Sequence, residues 1–329
     1  NSAIVKPSEM TPATSALIAR LIGETFPADL VTVIEGGKDV SQALLALPFD
    51  HIFFTGSPAV GKIVMEAASK HLTSVTLELG GKSPTIVGPG ADIDLAAKWI
   101  AFGKFINAGQ TCIAPDHLFV HASVKDRFLS ALRTRIAHAY GSGATSPHLA
   151  KIVNDQHARR VSGLLDDAKT KGAKVLSGGG VEGRAIEPTL IEAVTPEMEI
   201  DREEIFGPIL PVMTYDDIET VLARINARPK PLSLYIFDRD KARVDHILKA
   251  TSSGGVGVNL TVLHYSHAGL PFGGVNNSGI GASHGNNGFR AFSHERAVLQ
   301  NRFSALPLVF PPYEGMAKRL IDLARRILG

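Results

Sequence analysis

The feature that most constrains the fold is a regular alternation of short apolar runs and helical patterns, joined by short turns. Over roughly the first quarter of the chain, the apolar runs predict strands at residues 3–6, 30–34, 51–54 and 74–79. Helical patterns lie between them, from Pro12, over 39–47 and up to about Lys70. Because parallel strands need helical crossovers, this alternation predicts an α/β fold with a doubly wound parallel sheet.

The same alternation restarts after Gly81 and predicts a second α/β domain. The expected strands are 86–87, 117–121, 190–191, 209–213, 232–237 and 255–260, and the expected helices are 95–106, 124–140 and 156–171. Residues 270–288 are glycine-rich with little periodicity, which is typical of an ordered loop. Residues 296–303 are predicted to form an edge strand.

Composition narrows the classes of function. A chain of 329 residues predicts two domains, or two with an appendage. The net charge of +2 argues against a nucleic-acid partner. One cysteine argues against a disulfide framework and suits the reducing cytoplasm, where we expect the protein to work. No apolar run approaches the roughly 20 residues that a membrane-spanning helix needs.

The two ends of the sequence carry separate predictions. The chain starts at Asn1 without Met or a signal-peptide pattern and resembles the middle of a strand, so we expect an upstream portion to be missing. At the other end, apolar residues recur at helical spacing among basic ones after Tyr313. A basic amphipathic helix can bind a membrane surface, but such helices more often pack on protein, which is the favoured interpretation here.

Cys112 is the only cysteine and is the first candidate for chemistry. It follows Gly109, Gln110 and Thr111 and lies downstream of Glu78, which is placed near the end of a predicted strand. A lone cysteine can be a small buried hydrophobe, but a polar, glycine-containing loop exposes its residues more often than it buries them. A thiol with a carboxylate held on rigid backbone nearby points toward covalent thiol catalysis.

Three other segments are weaker candidates for a ligand site. The turn from Gly56 to Gly61 follows a strand and opens a helix, where free N–H groups favour a phosphate and the Ser57 hydroxyl could donate to it. Lys6 and Glu9 end another predicted strand of the same sheet, where they could hold ribose hydroxyls, although a surface charge pair is the simpler reading. The third segment is Glu203-Glu204-Ile205-Phe206-Gly207-Pro208, which on its own would be a loop. The twelve histidines show no metal-binding spacing, so no metal is expected.

Taken together and in this order, these segments resemble the aldehyde dehydrogenase superfamily. The matching pieces are Lys6-Pro7-Ser8-Glu9, Phe54-Thr55-Gly56-Ser57, Glu78-Leu79-Gly80-Gly81-Lys82, Gly109-Gln110-Thr111-Cys112, Glu204-Ile205-Phe206-Gly207-Pro208 and Pro271-Phe272-Gly273-Gly274. The segments 112–116 and 277–294 are similar to the class 3 branch, and the Phe310-Pro311-Pro312-Tyr313 tail is similar to that of bacterial coniferyl aldehyde dehydrogenases. The conjunction is specific although each piece is weak.

The resemblance implies a two-step mechanism. Cys112 as a thiolate would attack the aldehyde carbonyl, with its own backbone N–H helping to hold the oxyanion. Hydride transfer to a nicotinamide would leave a thioester, and Glu78 would activate the water that hydrolyses it to a carboxylic acid. The expected substrates are aromatic aldehydes such as coniferyl aldehyde, or medium-chain aliphatic aldehydes.

The resemblance also implies the cofactor, the domains and the assembly. NAD is expected, with NADP possible, and the implied cofactor-binding residues are Lys6, Glu9, Gly56, Ser57, Gly61, Leu79, Glu204 and Phe206. Residues 1–78 would be the C-terminal part of a Rossmann-type NAD-binding domain, 79–285 the catalytic domain, and 286–329 an oligomerisation strand with a bridging amphipathic tail. A homodimer is expected.

Two departures from the family pattern keep other functions open. Family members carry a Pro-Trp-Asn segment upstream of the position of Asn1, whose Asn completes the oxyanion hole, so a catalytically silent fragment is one alternative. A coenzyme A-acylating relative is another, although Glu78 argues against it because such an enzyme would dispense with a hydrolytic base. The His264-Tyr265-Ser266-His267 run lies where the family lines its substrate entrance and leaves the substrate open.

Overall fold

The structure, a computed structural model, describes residues 1–328 and divides into two units. The first unit comprises residues 1–292, and the second begins at Ser293. The predicted division at residues 78 and 285 stays a prediction.

The first quarter of the chain alternates strands and helices as predicted. Its elements are β1 (Ala3–Val5), α1 (Pro12–Thr25), β2 (Val31–Val33), α2 (Lys38–Leu45), β3 (His51–Gly56), α3 (Pro58–Ser69) and β4 (Ser74–Leu79). Strands β1 and β2 pair in parallel, as do β3 and β4. The expectation of one continuous sheet here is wrong, because within residues 1–328 no strand hydrogen-bonds the first pair to the second.

The middle of the chain builds the larger sheet. Its elements are β5 (Pro84–Val87), α4 (Ile93–Phe105), β6 (His117–His121), α5 (Lys125–Tyr140), α6 (Asp155–Thr170), β7 (Lys174–Ser177), β8 (Val181–Glu182), β9 (Ala185–Ile186), β10 (Thr189–Glu192), α7 (Glu199–Arg202), β11 (Ile209–Tyr215), α8 (Ile218–Asn226), β12 (Ser233–Phe237), α9 (Lys241–Ala250) and β13 (Gly255–Val258). Seven strands pair in the order β13-β12-β5-β6-β11-β10-β7, and all neighbours are parallel except β10 and β7. The predicted α/β class with a parallel-rich sheet is confirmed.

Helices cover both faces of this sheet, which is why its strands are continuous apolar runs. On one face, Ile100 of α4 and Phe128 of α5 are buried in a cluster with Leu118 of β6. On the other face, the buried side chains of α8 and α9 pack against β5 and β12. The sheet therefore holds the ends of its strands, and the loops that follow them, in fixed positions.

The glycine-rich segment after Leu270 is more structured than an ordered loop. It contains β14 (Gly279–Ile280) and leads into α10 (Gly285–Ala291). Strand β14 pairs antiparallel with β4, placing Gly279 opposite Glu78. An isolated bridge joins Phe272 to Ser283. These contacts bring a segment from far along the sequence onto the strand that carries Glu78.

The second unit contains the predicted C-terminal helix but not the predicted strand. Helix α11 spans Gly315–Leu328. Residues 296–303 form no strand, and Leu299 is 98% exposed, because no neighbouring strand satisfies their backbone groups in the described chain. Across residues 1–328, no helix has the length and apolar character needed to cross a membrane.

Candidate active site

A cavity of about 1580 Å³ opens where β4 ends, beside the loop that follows α4 and the loop that precedes β11. Its wall includes most of the predicted site residues: Gly56, Ser57, Glu78, Leu79, Cys112, Glu204 and Phe206. Three predicted site residues are not among the described residues that line the cavity: Lys6, Glu9 and Gly61. The structure thus brings the predicted nucleophile and the predicted base to one cavity from separate parts of the sequence.

Glu78 is the penultimate residue of β4 and is 6% exposed. Its Oε1 accepts a hydrogen bond of 3.1 Å from the Ser283 hydroxyl. Its Oε2 is also buried and accepts no hydrogen bond from any residue within 1–328. Burial raises the pKa of Glu78 to about 7, and the bond from Ser283 opposes that rise. A carboxylate with one unpaired oxygen and a pKa near neutrality is suited to accept a proton from water.

The loop that carries Cys112 has an unusual backbone. Asn107 and Ala108 adopt left-handed conformations with φ of 52° and 53°, and Gly109 follows at 74°. A Cβ at Gly109 would overlap the carbonyl oxygen of Gly207, so only glycine fits. Left-handed backbone at non-glycine residues costs about 1 kcal/mol or more per residue and persists only where the surroundings fix it.

The side chain of Gln110 holds much of this backbone in place. Its Oε1 accepts a bond of 2.8 Å from the N–H of Val153, and its Nε2 donates to the carbonyls of Asn107 and Lys151. The Tyr235 hydroxyl donates to the carbonyl of Ile113 at 2.6 Å. Gln110 and Tyr235 therefore hold the loop that carries Cys112 through hydrogen bonds to its backbone and to neighbouring backbone groups.

Cys112 is half-buried against Ile113, Leu232 and Phe272. Burial raises the pKa of its thiol to about 11, and the charges of Glu204 and Glu78 add to the rise. The backbone N–H groups of Cys112 and Ile113 face the sulfur and oppose it. In this environment the thiol keeps its proton at neutral pH unless positive charge arrives nearby.

A buried ion pair anchors the loop that carries Glu204 and Phe206. The Lys82 ammonium pairs with Asp116 and also donates to the carbonyl of Glu203 at 2.8 Å. The Asp116 carboxylate in turn accepts the N–H of Ile205 at 2.9 Å. Phe206 follows with a φ of 44°, a rare conformation for a bulky residue that turns the loop sharply.

Glu204 lies against the Gly80-Gly81 turn that follows β4. The N–H of Gly81 donates to its carboxylate, and a Cβ at Gly80 would overlap its Oε2. Burial and the charge of Asp116 raise the pKa of Glu204 to about 7. Glycine at position 80 is required for this close approach.

The N-terminus of α3 forms another part of the wall. Ser57 caps the helix, its hydroxyl accepting from the N–H of Val60 at 3.4 Å, and Pro58 occupies the first turn. A Cβ at Gly61 would collide with the Leu79 side chain, so this glycine lets α3 pack on the end of β4. A helix N-terminus beside a cavity favours a phosphate group, and the residues here fit the pyrophosphate of a dinucleotide.

Lys6 and Glu9 lie together beyond β1, away from the cavity wall. The Lys6 ammonium donates to the carbonyl of Gly36 at 2.8 Å and to Glu9 Oε2 at 3.2 Å. The backbone N–H of Glu9 and then Lys6 lower the pKa of the Glu9 carboxyl. Their role toward a ribose stays a prediction.

Sequence reasoning missed two groups of cavity residues. One is Ser283, which touches Glu78. The other is an aromatic cluster in which the Tyr265 and His284 rings lie 4.7 Å apart and the Phe272 and His284 rings stack at 5.1 Å. Phe272 belongs to a recognised motif and Tyr265 to the run placed at the substrate entrance, but no spacing predicts that their rings form a cluster with His284. Residues 1–328 contain no group of three or more His, Cys, Asp or Glu side chains able to hold a metal.

The fold and this cavity define an α/β protein with a helix N-terminus beside a half-buried thiol and two carboxylates of raised pKa. Residues 1–298 match the model of the aldehyde dehydrogenase family. The chain belongs to that family, and the enzyme class predicted from the sequence, an NAD(P)-dependent aldehyde dehydrogenase, is confirmed.

Individual relatives support the same placement. The chain is 44% identical over 324 residues to a "Probable coniferyl aldehyde dehydrogenase" of Pseudomonas aeruginosa, covering 98% of this chain and 68% of the relative. It is 43% identical over 302 residues to "Aldehyde dehydrogenase family 3 member A2" of Rattus norvegicus, covering 91% and 61%. A solved structure of Staphylococcus aureus AldH in a substrate-bound state superposes with a TM-score of 0.91 at 46% identity, covering 98% and 71%. The resemblance to the class 3 branch and to coniferyl aldehyde dehydrogenases is confirmed.

Proposed function

We propose that the chain oxidises an aldehyde to a carboxylic acid through a covalent intermediate on Cys112, with Glu78 as the base of the hydrolytic step. The observation that carries this proposal is that Cys112 and Glu78, separated in sequence, line one cavity closely enough for the charge of Glu78 to raise the pKa of the thiol. The cavity wall between them is otherwise largely apolar, which favours covalent chemistry shielded from water.

The first step is attack by the Cys112 thiolate on the aldehyde carbon. A C–S bond forms, the carbonyl π electrons move to oxygen, and the resulting oxyanion needs hydrogen-bond donors. The backbone N–H groups of Cys112 and Ile113 already face the sulfur, and they are therefore the nearest donors for that oxyanion. Oxidation then gives a thioester on Cys112.

The second step is hydrolysis of that thioester. Glu78 accepts a proton from water, and the water oxygen attacks the thioester carbon. The C–S bond breaks, the acid is released and the thiolate of Cys112 is restored. Burial raises the pKa of Glu78 to about 7, which suits a group that takes up and releases a proton near neutral pH.

The NAD(P) of this family fits the same cavity. The glycines at positions 56 and 80, the N-terminus of α3 capped by Ser57, and the Glu204 carboxylate are the residues that would hold it. When bound, the oxidised nicotinamide supplies the hydride acceptor and a positive charge. Glu204 would hold the nicotinamide ribose and Phe206 would pack on the cofactor. Further residues proposed to support it are Lys6, Glu9, Gly61 and Leu79.

The aromatic cluster supports an aromatic aldehyde as the preferred substrate. The rings of Tyr265, Phe272 and His284 lie within about 5 Å of one another on the cavity wall, and Phe102 is also on that wall. Flat rings favour stacked or edge-on contacts with an aromatic substrate. The relative from Pseudomonas aeruginosa is named for coniferyl aldehyde, which is an aromatic aldehyde, and this name agrees with the proposal.

We further propose that the protein works in the cytoplasm as a homodimer, with residues 1–78 in the cofactor domain, 79–285 in the catalytic domain and 286–329 bridging two subunits. The reducing environment keeps a catalytic thiol free. Exposed apolar side chains in the tail, such as Ile327 and Leu328, support an interface.

The test is formation of reduced cofactor from NAD⁺ or NADP⁺ with a cinnamaldehyde-type aldehyde and with a medium-chain aliphatic aldehyde. Cys112→Ala should abolish turnover, whereas Ser123→Ala, on the surface beyond β6, should leave it unchanged. Higher kcat/KM for the aromatic aldehyde is expected. Turnover retained by Cys112→Ala would refute the nucleophile, and a preference for the aliphatic aldehyde would refute the proposed substrate class.

A further inference from the structure

Ser283 occupies a position from which it can bond to Glu78 and to the backbone at the same time. Its Oγ lies 3.1 Å from Glu78 Oε1 and 3.1 Å from the carbonyl oxygen of Phe272. Two backbone bonds of 3.1 and 2.6 Å join Phe272 and Ser283 in both directions, so the serine Cα is fixed. The pairing of β14 with β4 holds the same segment on the strand of Glu78.

A serine hydroxyl has one proton to donate and lone pairs with which to accept. It therefore cannot donate to Glu78 and to the Phe272 carbonyl at once. When Glu78 is ionised, the hydroxyl donates to Oε1. When Glu78 is protonated on that oxygen, the carboxylic acid can donate to Ser283 Oγ, and the hydroxyl turns to donate to the Phe272 carbonyl. In each arrangement, Glu78 Oε1 and Ser283 Oγ stay hydrogen-bonded to each other.

We propose that Ser283 is a positioning residue for hydrolysis, whose hydroxyl reorients so that the Glu78 carboxyl group stays in one place in both of its protonation states. The inference rests on the proposed role of Glu78 as the base. Ser283 gains and loses no proton overall. The proton taken from the attacking water resides on Glu78 until solvent removes it, and the hydroxyl proton of Ser283 only changes its acceptor.

Such a device suits a base that must change protonation state in every turnover. A buried carboxyl group that lost its hydrogen bond on protonation would be free to rotate away from the thioester. A hydrogen bond between Oε1 and Ser283 in both protonation states prevents that rotation.

The other ionisable groups near Glu78 do not provide this bond. Cys112, Glu204, Lys82 and His284 share the cavity wall. Of the elements packed on β4, strand β14 contributes no ionisable residue, α3 buries Gly61, Val64 and Ala68, and His51 of β3 pairs opposite Ser74 at the far end of the strand. In the described chain, Ser283 is the one side chain that lowers the pKa of Glu78 by a hydrogen bond.

The test follows the decay of the acyl-enzyme that the full chain forms with 4-nitrophenyl acetate, measured against pH without added cofactor. Ser283→Ala should raise the apparent pKa of decay by about one unit, because a bond to the ionised carboxylate is lost. The plateau rate at high pH should also fall, since the carboxylate is less well placed. Ser283→Thr, which restores a hydroxyl, should return the parent profile.

The matched control is Ser69→Ala, which removes another serine hydroxyl that donates to a backbone carbonyl, that of Glu66, but lies outside the cavity wall. It should leave the profile unchanged. An infrared titration of the Glu78 carboxyl band, assigned by difference from Glu78→Gln, should show the same upward shift in Ser283→Ala.

The outcomes separate the two proposals. If Glu78→Gln abolishes decay but Ser283→Ala leaves the pKa and plateau unchanged, the positioning role is wrong and the base assignment stands. If Ser283→Ala and Ser283→Thr are equally impaired, the effect comes from packing and the positioning role is also wrong. If Glu78→Gln decays normally, both proposals fail.

Discussion

The charge of Glu204 gives the sharpest test of the electrostatics of the site. The pKa of the Cys112 thiol is raised from its ordinary 9.0 to about 11, chiefly by burial and next by the charge of Glu204. Replacing Glu204 by Gln removes that charge and keeps the shape of the side chain. Because burial is the larger cause, removing the charge should lower the thiol pKa by about 0.5 unit, which corresponds to roughly threefold more thiolate at any pH well below the pKa.

The effect should itself depend on pH. Glu204 has a pKa of about 7, so its charge is present above that pH and lost below it. The rate of alkylation of Cys112 by iodoacetamide, measured without cofactor, should be about threefold faster in Glu204→Gln than in the parent at pH 8.5 and equal at pH 6. The matched control is Glu203→Gln, whose carboxylate is exposed and next in sequence.

Two results would refute this reasoning. Equal alkylation of parent and Glu204→Gln at pH 8.5 would show that the carboxylate does not act on the thiol. Equal acceleration by Glu203→Gln would show that the effect belongs to the general charge of the loop rather than to the buried carboxylate.

Three further changes have defined outcomes. Glu78→Gln should slow thioester hydrolysis by about 10² to 10⁴-fold and leave a burst of reduced cofactor in rapid-quench experiments, and normal steady-state turnover would contradict the base role. Gly80→Ala should weaken NAD⁺ binding about tenfold or more in calorimetry, because the added Cβ overlaps the carboxylate of Glu204, and an unchanged Kd would exclude that carboxylate from the cofactor site. Asp201→Asn should reduce the free energy of unfolding by about 2 kcal/mol in urea titrations, since this buried carboxylate pairs with two partly exposed arginines, and a loss near zero would show that the pairs contribute nothing.

The parts of the fold that sequence alone predicted are those in which local pattern and tertiary environment agree. Residues 74–79 and 117–121 were predicted as strands with the bounds they have in the structure. Residues 74–79 alternate polar and apolar side chains before two glycines, and residues 117–121 have an apolar centre and are buried on both faces. The C-terminal helix followed from its apolar spacing in the same way.

Helices α8 and α9 were missed although the chain carries the information for them. Asp217 and Asp240 each cap one of these helices, their carboxylates accepting backbone N–H groups of the first turn. An Asp before an apolar-periodic run is a recognised helix start. Both helices are short, with nine and ten residues, so each offers few turns over which an apolar period can be recognised, while the cap was clear.

The strand predicted at residues 296–303 failed for a different reason. A strand of alternating character can form only where a partner edge accepts its backbone hydrogen bonds, and local sequence does not contain that edge. The contact between Ser283 and Glu78 lay beyond sequence reasoning on the same ground, because it joins residues 205 positions apart. Motifs predicted which residues carry the chemistry, whereas pairing across the fold decides which side chains hold them in place.

The electrostatics of the cavity impose an order on the reaction. The carboxyls of Glu78 and Glu204 have pKa values of about 7, and their charges help to raise the pKa of Cys112 to about 11. The base is therefore available at neutral pH while the thiol is still protonated, since each negative charge near the sulfur opposes a thiolate. A positive charge brought into the cavity would reverse that balance for the thiol and would favour ionised carboxylates at the same time. In the proposed mechanism, this arrangement lowers the fraction of Cys112 thiolate until a cationic ligand is bound, which slows the reaction of the only cysteine of the chain with adventitious electrophiles.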